Sequence, residues 1–217
     1  MNNNTPIQNS LAELLRRSEV TSKARYNAGR RMELHNAFSQ WTLAFLAVGQ
    51  IVIALIVALK LKTVFSPAYV DFGGIFFGIL VLAYSLLLGM GNYAVRAIKH
   101  HACGMALGGL ARSLHLKSKN PASTQDDYEK AAAKYYEILS KYENHINIDY
   151  LTAAHEIATK DKIDFFSTQF IEKIFGVLKN KISILWGKFL QFAHYIASIS
   201  LISFWIYKSI GLSFFKI

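Results

Sequence analysis

The stretch "RRMELHNAFSQWTLAFLAVGQIVIALIVALKL", Arg30–Leu61, decides the fold. Two arginines, Glu33 and His35 lead to Trp41, and no charge follows until Lys60. Only Thr42 and Gln50 are strongly polar between Trp41 and Leu59. A helix rises about 1.5 Å per residue, so a run near 20 covers roughly 30 Å, the thickness of a bilayer core. A helix buried in a soluble core is usually shorter and keeps a polar face, whereas this run is apolar all round. Trp41 stands where an interface aromatic belongs. The reading is a membrane span over about 41–61.

Outward from that stretch, "FGGIFFGILVLAYSLLLGMGNY" (Phe72–Tyr93) is a second uncharged run, read as a span over 72–93. The connection "KLKTVFSPAYVD" is short and carries the turn signal Ser66-Pro67, so the two spans form an antiparallel hairpin. Composition agrees. Of 217 residues 53% are hydrophobic and 18% charged, against about 25% charged in soluble domains.

Net charge is +10, and its placement is informative. Residues 1–40 hold six Lys/Arg against three acids, residues 92–120 hold five against none, and residues 166–217 hold six against one. Residues 121–165 are acidic, with nine acids against five bases. Basic blocks that flank oily runs suit anionic lipid headgroups better than a nucleic-acid face. Lys23, Arg25, Arg30, Arg31, Arg96 and Lys99 are the headgroup candidates, and direct nucleic-acid binding is not expected. The Lys/Arg bias favours a cytoplasmic N-terminus and cytoplasmic long flanks. No secretory signal is read in the first 40 residues. The single cysteine, Cys103, allows no disulfide within the chain.

A third segment, "FLQFAHYIASISLISFWIY" (189–207), is uncharged but carries Gln191, His194 and three serines. Lys188, Gln191, His194 or Tyr195, and Ser198 share one helical stripe. Three readings stand. The segment spans with that stripe against a partner helix or a wet path, lies in the interface as an amphipathic helix, or is a covered soluble helix.

The remaining pattern is helical, and no period-two strand pattern persists. Helices are expected at about 10–40, with Ser10 and Glu13 as a capping box, and at 94–117. Further helices follow at 124–144, capped by Ser123 or Thr124 with Asp126 or Asp127, and at 148–160, capped by Asn147 or Asp149. The first could run straight into the first span. Glycine pairs Gly74/Gly78 and Gly104/Gly108 have the spacing that lets helices approach closely. Mid-span Gln50 needs an amide partner, in its own hairpin or across subunits.

Two tempting chemistries are set aside. His100, His101, Cys103 and His115 lack zinc-site spacing. Glu143, His145, Asp149, His155 and Glu156 have no accompanying nucleophile. No phosphate loop is present. No catalytic, cofactor or metal site is expected, and the chain is not read as an enzyme.

Two motifs carry a resemblance. "KARYNAGRRMELHNAFSQWTL" before and into the first span, and "YYEILSKYENHINIDYLTA" with Tyr142, Glu143, Asn144, His145, Asp149 and Tyr150, resemble the SLATT family of bacterial two-span membrane effector domains. The likeness covers residues 10–160 and leaves 161–217 as a helical extension. It implies an all-α inner-membrane protein linked to anti-phage defence. Such a protein would homo-oligomerise and disrupt the bilayer once a sensor fires, the sensor being a nucleotide-second-messenger synthase or a reverse transcriptase. A membrane anchor that recruits a soluble partner and a constitutive small channel are the alternatives.

Overall fold

The computed structural model describes residues 6–160 and 170–210, with side chains outside 158–160, 170–181, 183, 184 and 188. The described residues form six helices: α1 Pro6–Ala58, α2 Pro67–Gly91, α3 Tyr93–Ser118, α4 Gln125–Ser140, α5 Asn147–Lys160 and α6 Phe170–Ile210. The basic N-terminal helix and the first span are one continuous helix of 53 residues.

The expected capping box at Ser10 and Glu13 is not where α1 starts. The chain is already helical at Pro6. Ser10 Oγ donates to the Pro6 carbonyl, and Glu13 pairs with Arg16 at 2.7 Å. Lys60 (φ 50°) and Asn92 (φ 44°) take left-handed backbone just beyond α1 and α2. Asn tolerates that region better than most residues, and Asn92 divides α2 from α3. Pro67 starts α2 behind Ser66. Thr124 caps α4 with Asp127 in a complete capping box.

The chain divides into two compact units. The first comprises α1 up to Glu33, α3 from Ala94, α4, α5 and α6 up to Gly187. Its core is Leu11, Leu14, Leu107, Leu114, Tyr135 and Ile138, with Cys103 among them. Small residues bring α1 and α3 together. A Cβ on Gly29 would stand 3.3 Å from the Ala97 carbonyl, and one on Gly104 would stand 3.2 Å from the Tyr26 ring. Ser22 Oγ donates to the Gly104 carbonyl at 2.8 Å.

The second unit comprises α1 from Leu34, α2, and α6 from Lys188. Its core is Leu46, Ile53, Phe77, Tyr84, Tyr195 and Ile202. Its outer side is apolar too: Ile51 is 60% exposed and Ile75 68%. Soluble monomers rarely expose continuous apolar surface on this scale. Within Pro6–Ala58, Pro67–Ser118 and Leu185–Ile210 lie three stretches long and apolar enough to cross a membrane.

Candidate functional site

The first unit gathers its charge at the connection between α4 and α5. Residues 141–146 have left one helix and not yet joined the next, so their backbone groups need other partners. Arg25, on the α1 face that buries Ala24 and Ala28, is itself 2% exposed. Its guanidinium donates to the Glu143 carbonyl and to Asn144 Oδ1. Asp149 lies in the first turn of α5, and its carboxylate accepts the Ile146 N–H at 3.2 Å. The same carboxylate takes a two-point contact from Arg31, Nε at 3.1 Å and Nη2 at 3.0 Å. Arg96 of α3 pairs with Glu143 at 2.8 Å, and His100 Nε2 lies 3.7 Å from that carboxylate.

These contacts set the electrostatics. The hydrogen bond from Arg96 holds the Glu143 carboxyl below its ordinary range. Burial pulls His100 and His145 down and favours their neutral rings. Burial raises Cys103 and keeps it a thiol. The pattern is a clamp of ionic and polar contacts.

The motif residues carried by the resemblance therefore divide by role. Glu143, Asn144 and Asp149 fasten the connection to α1 and α3. His145 and Tyr150 stack at 6.2 Å, and Tyr142 packs against the hydrophobic core of the first unit. Arg25 and Arg31 were expected at headgroups and are corrected here. Their charges are committed inward, to Glu143–Asn144 and to Asp149, because an unpaired charge is costly to bury. Arg96 is also paired with Glu143. Arg30 and Lys99 are exposed, and Lys23 is half-buried.

The second unit holds a polar seam between apolar helices. Tyr84 of α2 donates to the His194 carbonyl at 3.1 Å and lies 2.7 Å from Ser198 Oγ. His35 Nδ1 is 3.2 Å from the Tyr195 hydroxyl, and its ring stacks on Phe192 at 4.4 Å. Through these contacts Tyr195 and Ser198 of the third segment meet α1 and α2 of their own chain. Gln50 lies beside Gly74 and Gly78, with its Nε2 3.9–4.0 Å from where their Cβ atoms would be. Gln50 Oε1, Gln191 Oε1, Thr42 Oγ1 and Trp205 Nε1 are buried without a hydrogen-bond partner among the described residues. His194 lies at the edge of the seam: its side chain is exposed with its ring stacked 6.3 Å from that of Tyr84, while Tyr195 beside it is buried. The Lys188 side chain lies outside the described residues.

Two seats escaped the sequence reading. A Cβ on Gly49 would collide with Ile202, and one on Gly73 would overlap the Trp205 indole. These two glycines let α6 settle against α1 and α2. Gly73 stands one residue from the recognised Gly74/Gly78 pair, and Gly49 is a lone glycine with no partner at that spacing.

Helices with apolar outer faces, a hairpin and a polar seam define an all-α membrane protein. The model of the SMODS and SLOG-associating 2TM effector domain family 5 matches residues 7–207, and the chain belongs to that family. The match runs past residue 160 and takes in the third oily segment. No curated protein and no solved structure matches the chain.

Proposed function

We propose that the chain is the membrane-disrupting effector of a bacterial anti-phage system. In this reading it is a multi-pass protein of the inner membrane with its N-terminus in the cytoplasm. A partner sensor fires, copies assemble, and assembly opens the bilayer and halts the infected cell. No catalysis and no cofactor are involved. The family's association with SMODS and SLOG supports a partner. The proposed sensor is a nucleotide-second-messenger synthase or a reverse-transcriptase system.

The observation that carries the proposal is the polar seam of the second unit. A buried polar atom without a partner costs about 1–3 kcal/mol, and hydrocarbon offers it none. Gln50, Gln191 and Thr42 each hold such an atom. A rearrangement that lets these groups bond to each other, to another copy or to a wet path would recover that cost. The apolar outer side suits lipid while the unit is at rest.

The anchor alternative would dock a partner on the acidic stretch 121–165. On α4 that charge is largely matched by lysines: Lys130 with Asp126, Lys134 and Lys141 with Glu137, and Lys117 with Asp127. A locally neutralised face is a poor electrostatic dock, which favours the effector. A constitutive channel would conduct without assembly.

The test is dye release from vesicles holding the purified full chain at increasing protein-to-lipid ratio. Release should rise steeply with the ratio, and Gln50→Leu with Gln191→Leu should suppress it while leaving insertion intact. Vesicles that stay sealed at every ratio, with the chain inserted, would refute the proposal.

A further inference from the structure

A cleft of about 670 Å³ opens in the first unit between α1 and α3, closed at one side by Ile157 of α5. Three basic side chains line it: Lys23 from α1, and Arg112 and His115 from α3. None of them makes an ion pair among the described residues, although Lys117, two residues beyond His115, is paired with Asp127. Glu19 also lines the cleft and is not paired with them. Two cations and a histidine gathered around one concavity, without an acidic partner among the described residues, are a reason to look for an anion.

We propose that this cleft binds an organic phosphate. The volume falls within the roughly 300–1,000 Å³ of small-molecule sites, far more than a lone phosphate fills. Arg112 offers a planar fork and Lys23 a point charge, the two ways proteins hold phosphate oxygens. His115 adds a third donor, which suits a tetrahedral group with three free oxygens better than a carboxylate with two. Gly108 leaves the α3 backbone open in the lining, since a Cβ there would meet only Ser22 Oγ, at 3.5 Å. Leu116 and Ile157 supply apolar wall for the organic part. The phosphate belongs either to a lipid headgroup or to a soluble phosphorylated molecule. The chemistry is shared, and the site holds whether or not the chain permeabilises membranes.

The experiment uses the full chain in detergent and follows its melting with two probes, short-chain phosphatidylglycerol and inorganic pyrophosphate. The variants are Lys23→Gln with Arg112→Gln, His115→Gln, and Lys99→Gln as an exposed control outside the cleft. Pyrophosphate should raise the melting temperature if the source is soluble, and only phosphatidylglycerol should do so if the source is lipid. In either case the double variant should need about a hundredfold more probe, roughly tenfold for each of the two charge-assisted contacts removed. His115→Gln should weaken binding by less, and Lys99→Gln should match the wild type. No shift with either probe, or a shift retained in the double variant, would overturn the assignment. The variants replace side chains at the edge of a cleft. Wild-type melting without probe confirms that they fold.

Discussion

Arg31 and Asp149 meet side-on across 118 residues of sequence, Nε to Oδ1 at 3.1 Å and Nη2 to Oδ2 at 3.0 Å. Their side chains are 14% and 4% exposed, so both charges are largely withdrawn from water. The pair joins the N-terminal half of α1 to the first turn of α5. Asp149 also accepts the Ile146 N–H, so one carboxylate orders both the loop and the helix behind it.

Removing one partner should therefore cost more than removing both. Arg31→Met should destabilise the first unit by roughly 3 kcal/mol, because it strands a buried carboxylate. Arg31→Met with Asp149→Leu should recover much of that loss. Calorimetry of the full chain in nanodiscs measures both, and equal melting of single and double variants would contradict the account. Lys130→Gln, which removes an exposed pair, should leave the melting temperature where it is.

The indole of Trp205 occupies the space that a side chain on Gly73 would need. Gly73→Leu should force it out at a cost of about 1–3 kcal/mol. With Trp41 and Trp186 changed to Phe, the emission of Trp205 reports directly. The expected result is a shifted spectrum in Gly73→Leu and an unchanged one in Gly89→Leu, since nothing lies within 4 Å of a Cβ at Gly89.

Acid should loosen the clamp in two stages. Burial lowers His100 and His145, so the folded state prefers neutral rings. The stability this contributes is present above the ordinary histidine range near ~6.5 and is lost as pH falls below it. Glu143, held down by Arg96, acts lower in the clamp, and Asp127, held at about 2 chiefly by Lys117, does the same at the start of α4. Their contribution is present above the ordinary carboxylate range near ~4 and is lost as pH falls through their folded values. The protection factors of residues 143–149 against hydrogen exchange should fall from pH 7.5 to 5.5, and less so in His100→Gln.

Thr124 accepts the Asp127 N–H, and Asp127 accepts the Thr124 N–H in return. Thr124→Ala should cost about 1 kcal/mol and fray the first turn of α4, visible as faster exchange at residues 125–128.

Local patterns were legible in the sequence wherever one element carried the whole signal. The uncharged runs marked the oily helices, and Ser123 or Thr124 with Asp126 or Asp127 marked a cap. Ser66-Pro67 marked the turn before α2, and the absence of proline after Arg30 allowed α1 to run unbroken. What stayed hidden depended on pairs distant in sequence. Arg25 and Arg31 read as headgroup residues because a basic stretch before a span usually meets lipid. Only the fold brings Glu143 and Asp149 within reach of them. Ser10 and Glu13 have capping-box spacing, but the chain is already helical at Pro6, four residues earlier. The inward turn of Ser198 and Tyr195, with His194 left at the edge, depends on which helices cover α6. A stripe defined by spacing alone does not contain that information.

The central claim is that the chain breaches the membrane in which it sits. The most direct measurement is membrane potential, followed with a voltage-sensitive dye in cells producing the full chain, before and after phage challenge. The account predicts collapse of the potential on challenge or on strong induction, delayed by Gln50→Leu with Gln191→Leu. A potential that holds steady through infection, with the protein confirmed in the membrane, would contradict it.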